Sequence, residues 1–586
     1  MKTLIYSLFC TVLVHAASID PVMAAADFPP FTITINPSDR EKSLHAPLQK
    51  ALRKERDRLE QSGITMSGNK LFRRELGILV KVLKSEGFYR HNLAYETSGN
   101  SVIYRIETGG LYRINKVFLE SSGMDIRLPD PEQLGLHTDM KLRAEAVLAA
   151  QDLLHQFIRN NNCLYQTGVS HEVVLHHDAA TADVRFLIKP SEQVNINQVA
   201  INGLETVEEA YVREKLGLRD GQCYQTRSIE KVRLGLLQTG LFSIVDSQVS
   251  PPQQGKVNIR FDLKERNHRT VKAGVGYSTD ESISLTAGWQ HRNIFGEAEL
   301  LEIEGKVSGL YKIIDTTLTY PSFRRSDQAL ILEAELAEEN LEAFDSTGMT
   351  LTASLKRKLA RYWTATVGMQ YKFKSVREAG GENTFALMSL PTALGHDNRD
   401  NILDPHHGWV STIEVQPFVD ALDTDILFLK TSIGASIYHT FEDIRFAPTL
   451  AARTVFGFIN GISVDSVPAS ERFYAGGGGS VRGYPFQKLG PLVNDDPHGG
   501  RSLMEVSLEA RLRVFKNWGG VIFIDGGNVY PDQFPRIDQG LHWAVGFGAR
   551  YYTTFAPIRV DIGFPLNRRS GIDDTFQLYI SLAQAF

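Results

Sequence analysis

The chain has 586 residues, 42% of them apolar, and a formal net charge of −5. That length exceeds one ordinary domain and sets an expectation of about two to four. The slightly acidic balance argues against a nucleic-acid partner, which calls for a basic surface.

At the N-terminus Lys2 precedes an apolar run from Leu4 to Ala17, and Ala24-Ala25-Ala26 supplies a small-residue cleavage site before Asp27. This pattern predicts a secretory signal peptide over residues 1–26. A signal anchor is the alternative, disfavoured because the run is short for a membrane helix. No later stretch reaches the roughly 18 consecutive apolar residues of a membrane helix. The exported chain is then either soluble outside the cytoplasm or a β-barrel in an outer membrane. Cys163 and Cys223 remain after cleavage, and an oxidising compartment allows them to pair across about 60 residues. Two separate buried thiols are the alternative.

From residue 27 to about 264, strand and helix signals alternate. The clearest unit is the last. Val194 to Ile201 reads as a strand, Glu205 to Leu216 and Thr226 to Thr239 as helices, and Phe242 to Val249 and Val257 to Leu263 as paired strands. Gly217 and Gly240 are placed to stop the two helices. The order β-α-α-β-β recurs upstream, with a helix at Ala144 to Asn160 in the middle unit and helices at Leu44 to Leu59 and Lys70 to Glu86 in the first. A unit of about 80 residues repeated three times is an internal repeat. The helix-to-strand junctions Gly240-Leu241-Phe242 and Gly87-Phe88-Tyr89 resemble those of POTRA domains. Cys163-Leu164-Tyr165 holds the equivalent place without the glycine. The resemblance implies modules over 27–108, 109–189 and 190–264, whose exposed sheet edges accept extended segments. A rigid spacer without client contact is the competing reading.

From 265 to 586 a period of two takes over. Trp363, Ala365, Val367, Met369, Tyr371 and Phe373 alternate with polar neighbours, and Met504, Val506, Leu508 and Ala510 alternate with Glu505, Ser507, Glu509 and Arg511. One parity faces lipid and the other a wet interior. At roughly 20 residues per strand and connection, this region makes about 16 antiparallel strands. The expected fold is therefore α+β POTRA repeats followed by a transmembrane antiparallel β-barrel. A soluble β-sandwich would alternate too, but would not supply so many long strands.

Four consecutive glycines, Gly476 to Gly479, lead into Val481-Arg482-Gly483-Tyr484. Glu505 has the lumen parity of its strand, and Phe523, Asp525 and Gly527 share a parity on the next, with Gly527 leaving space. A loop folded inward brings Arg482 to Glu505 and Asp525, since a guanidinium matches carboxylates bidentately. Tyr484 is then expected beside Phe523. Val481 to Tyr484 resembles the (V/I)RG(F/Y) motif of the BamA/TamA outer-membrane assembly superfamily. Phe523-Ile524-Asp525-Gly526-Gly527 resembles its FxDxG strand motif, and the run from Asp397 to Gly408 its segment rich in RDN and P-x-x-G.

The resemblance covers essentially the whole mature chain and implies a mechanism. A weak seam joins the first barrel strand (Val271, Ala273, Val275, Tyr277) to the last (Phe576, Leu578, Ile580, Phe586), and client strands enter the lipid through it. Three modules before about 16 strands resemble the TamA branch. That branch implies an inner-membrane-anchored, periplasm-spanning TamB-like partner, unfolded outer-membrane clients such as autotransporters, and the outer membrane of a Gram-negative bacterium as location. A two-partner-type secretion channel or another POTRA-barrel transporter is the alternative. No cofactor, metal or enzymatic activity is expected. Adjacent residues in a strand face opposite ways, so neither His176-His177 nor His406-His407 chelates alone, and no nucleotide site or serine-nucleophile motif is visible.

Overall fold

The computed structural model describes residues 22–23, 28–37, 41–378, 380–423, 425–553 and 557–582. Of the expected leader only Val22–Met23 is described, paired with Met66–Ser67; the rest of it, and Phe586, lie outside the described residues.

Among its described residues the N-terminal region holds three small three-stranded sheets. In the first, Phe31–Asn36 pairs in parallel with Ser101–Glu107, which pairs antiparallel with Asn92–Ser98. The helices Glu41–Gln61 and Gly68–Ser85 cover it, and Leu48, Leu52, Leu71, Leu79, Val102 and Tyr104 are buried between the layers. Inside that core Glu75 is fully buried, held by Arg56 and by the Tyr104 hydroxyl.

The second sheet places Thr181–Pro190 between Arg113–Ser121 and Thr167–His176, beside the helix Ala144–Asn161. Its first helix is reduced to the 3-10 turn Pro131–Leu134. The third sheet places Lys256–Glu265 between Phe242–Val249 and Asn195–Asn202, with helices Glu209–Leu216 and Thr226–Gln238. In each sheet the last strand is central and lies parallel to the first, the topology that a β-α-α-β-β order builds. A disulfide joins Cys163 to Cys223, with Cα atoms 5.1 Å apart. It sits where Val194 donates its amide to the Cys163 carbonyl and Tyr224 donates to the Val194 carbonyl.

The helix Glu209–Leu216 starts four residues later than its periodicity suggests. Glu205, Thr206 and Val207 instead donate their amides to the Glu265 carboxylate at 2.8, 3.0 and 3.0 Å. The segment Gly203–Leu216 belongs to the same compact unit as the barrel. Within it the Glu208 amide donates to the Gly296 carbonyl, and Asn293 donates to the Thr206 carbonyl.

The barrel is one 17-stranded antiparallel sheet running in sequence order from Arg269–Ser278 to Gln577–Leu582. Two of its strands, Gly381–Ser389 and Thr392–Asp397, are halves of a single pass. Both pair with Trp363–Glu378 on one side and with Gly408–Asp420 on the other. Pro391, which has no N–H to give a ladder, lies in the break. Counting the halves together leaves 16 passes among the described residues. The outward parity is apolar and exposed, as at Val367, Met369, Leu508 and Ile522, and no helix among the described residues is long and apolar enough to cross a membrane.

Candidate functional site

Much of the connection 461–501 packs inside the barrel. Val467, Phe473, Ala475, Val481, Tyr484 and Leu489 pack on inward-facing Phe418, Phe428, Ile459, Leu503, Val529 and Ala544 to form an interior apolar core. Charge pins it around the wall. Glu471 accepts from Lys372 at 2.6 Å and Lys430 at 3.4 Å. Arg472 grips Glu378 bidentately at 2.8 and 3.1 Å.

Arg482 is the deepest pin, 1% exposed. Its Nε and Nη2 donate to the two oxygens of Asp525 at 2.7 and 2.9 Å, and its own amide donates to Asp525 at 3.2 Å. Nη1 donates to Glu509 at 2.6 Å and Asp561 at 3.2 Å. The guanidinium carbon lies 3.5 Å from the centre of the Phe523 ring, a cation–π contact. The surrounding carboxylates carry further cations: Arg511 bonds Glu509 at 2.8 Å, and Arg550 and Arg559 face Asp561. Three buried carboxylates and four guanidiniums thus form one network in the low-dielectric interior. There a paired charge is tolerated and a stranded one is costly.

Two expectations need correction. Glu505 does hold the loop, but not through Arg482. It accepts from the Ser480 hydroxyl and pairs with Arg453 at 3.2 Å. The register explains why. Glu505 stands opposite Gly527, whereas Asp525 stands opposite Ser507 and Phe523 opposite Glu509. The space over Gly527 is filled by Val481, whose Cγ2 would lie 2.6 Å from any Cβ there. The next residue therefore reaches one level deeper, to Asp525 and Glu509.

Tyr484 does not lie beside Phe523, because the Arg482 guanidinium takes that place. Its ring packs edge-on to His542, and its hydroxyl donates to the Trp543 carbonyl at 2.9 Å. Gly483 (φ 98°) comes against Gly563, where a Cβ would stand 2.6 Å from the Gly483 nitrogen. Phe523 lies over Gly546, and Gly546 and Gly563 are register partners. This row of glycines lets the loop backbone reach the wall.

Sequence reasoning missed Glu509 as a direct ligand, although it shares the inward parity of Glu505. It also missed Asp561 and Tyr579. Asp561 lies between Arg559 and Gly563 at alternate positions, the same inward spacing as Phe523, Asp525 and Gly527. Tyr579, with the polar parity of the last strand, accepts from the Gly483 amide and donates to the Tyr484 carbonyl, both at 3.0 Å.

Among the described residues, the expected seam residues share the outward parity of their strands. Val271, Ala273, Val275 and Tyr277 are exposed, as are Phe576 and Leu578, while Ile580 is half-buried. Arg269–Ser278 pairs fully with Ser282–Arg292, and Gln577–Leu582 with Pro557–Pro565. The two end strands approach within 8 Å, yet among the described residues no ladder joins them. In the two histidine pairs, His176 bonds Asp183 and His177 the Tyr112 hydroxyl, while the His406 ring lies 3.3 Å from the Thr440 hydroxyl.

Comparison with known proteins agrees with this architecture. The Omp85 superfamily domain matches residues 293–586, and a POTRA domain, described as a surface antigen variable number repeat, matches 194–266. The chain is 24% identical over 530 residues to outer membrane protein assembly factor BamA of Nitratidesulfovibrio vulgaris, covering 84% of this chain and 64% of that protein. It is 19% identical over 541 residues to BamA of Neisseria meningitidis serogroup B, covering 79% and 66%. It therefore spans just under two thirds of the length of these relatives. The crystal structure of BamA from Haemophilus ducreyi lacking POTRA domains 1–3 shares the fold, with a TM-score of 0.68 at 15% identity over 81% of this chain and 100% of that one.

Proposed function

The chain belongs to the Omp85 superfamily, as an outer-membrane barrel with periplasmic POTRA modules of the Gram-negative type, and from that premise we propose that it is a TamA-like translocation and assembly factor. It inserts or secretes clients such as autotransporters through the gap between its first and last strands, without catalysis. The observation that carries this reading is that gap: among the described residues the two strands lie side by side with no ladder between them, in a barrel whose interior holds a charge-pinned loop. Unpaired backbone edges are costly in lipid, so an incoming client strand that pairs there is stabilised as it enters. The loop core packed inside the barrel disfavours a passive pore. Three modules before 16 passes support the TamA branch and hence a TamB-like, inner-membrane-anchored partner.

The test is affinity purification of the full chain from native membranes. The reading expects a large inner-membrane-anchored partner to be recovered. Recovery of the chain without one, under conditions that preserve membrane complexes, counts against the TamA-like assignment.

A further inference from the structure

The tetraglycine touches both flanks of the gap. The Gly478 amide donates to Asp280 Oδ2 at 2.8 Å, and Asp280 lies in the turn between the first two barrel strands. The Gly478 carbonyl accepts from Arg559 Nη2 at 3.0 Å, and Arg559 Nε donates to Ser581 on the last strand. Space is tight here. A Cβ at 477 would stand 3.1 Å from Asp280 Oδ2, and one at 478 would stand 3.2 Å from that oxygen and 2.9 Å from Tyr579 Cδ1. Gly477 also holds φ at 98°, a left-handed conformation that side chains resist. Gly477 and Gly478 thus work as a close-fitting bridge more than as a slack tether.

We propose that Asp280 is the clasp of the seam. Its carboxylate, acting through Gly478 and Arg559, ties the first hairpin to the last and keeps the gap shut where, among the described residues, the sheet supplies no ladder. This rests on the lateral-seam reading and adds to it a positioning residue. A carboxylate–amide bond is charge-assisted and stronger than a neutral one. Displacing the loop breaks the Gly478 bonds on both sides at once, so loop movement and seam opening are a single event.

The test is single-channel recording of the purified full-length chain in planar bilayers, with no client present. Folding of each variant is checked by heat-modifiability on gels. Asp280→Ala should raise the opening frequency about tenfold, and Asp280→Asn by less, as expected for loss or weakening of one charge-assisted bond. A disulfide engineered across the end strands should abolish the added openings. If Asp280→Ala is not heat-modifiable, Asp280→Asn serves instead, since it keeps the size of the side chain and removes only its charge. An unchanged opening frequency in the folded variant overturns the proposal. So do added openings that persist with the seam cross-linked, because these would run through the lumen. Client insertion does not enter this assay, so failure of the assembly function and failure of the clasp give separate results.

Discussion

Replacing Arg482 by alanine should release the interior loop, and the network tells which charge sets the cost. Glu509 keeps Arg511, and Asp561 keeps Arg550 and Arg559. Asp525 is the carboxylate that loses both side-chain bonds from its arginine while 0% exposed. Breaking a buried pair by removing one partner costs about 3–5 kcal/mol, chiefly for the charge left behind. Arg482→Lys keeps a cation but loses the fork and much of the contact with Phe523, and should cost about 1–3 kcal/mol. Arg482→Ala with Asp525→Asn should recover part of the loss, because no full charge is then stranded. The measurement is hydrogen exchange across residues 475–489 in the detergent-solubilised barrel, with the heat-modifiability midpoint as a second readout. Wild-type protection of this segment in Arg482→Ala would refute the reasoning. Strictly additive effects in the double variant would refute the assignment of Asp525 as the stranded charge.

Other outcomes follow from the same geometry. Gly546→Ala should unseat the Phe523 ring, which a Cβ there would overlap, and so loosen Arg482 without touching it; exchange over 475–489 should rise, and normal protection would contradict the packing argument. At Glu265, burial pushes the carboxyl up, but the amides of Glu205 and Val207, the Thr206 hydroxyl and His268 outweigh it and hold it down at about 2, against an ordinary value of 4.5. A depressed carboxyl stabilises above its unfolded value, so protection of the 205–207 amides should be full at neutral pH and fall as pH drops from about 5 toward 2. Glu265→Gln should flatten that dependence. The mature, non-reduced protein should show no free thiol on labelling, since Cys163 and Cys223 are bridged; two labelled cysteines would contradict the bridge.

What could be read from the sequence divides along physical lines. Period-two alternation gives strand faces directly, because parity is local. Glu505, Glu509 and Arg511 therefore point inward in the structure as their spacing suggests, and all three are buried. Parity does not say how far a loop descends. That depth is set by Val481 filling the space above Gly527 and by Gly483 meeting Gly563, contacts between segments far apart in sequence. Arg482 accordingly passed over Glu505 and reached Glu509. Asp561 is 79 residues from Arg482, and Tyr579 is 96 from Gly483. Parity alone turns both inward but does not say which loop residue each one meets. The late start of the helix Glu209–Leu216 has a similar origin, since the amides that would begin it are held by Glu265, 58 to 60 residues away.

The gap between the end strands is where the account is most exposed. One cysteine placed within Val271–Tyr277 and one at Leu578 or Ile580, oxidised to a cross-link in the membrane, tests it most directly. The account predicts that the oxidised barrel stays folded but no longer inserts client, and that a reductant restores insertion. Full client insertion with the seam locked would contradict it.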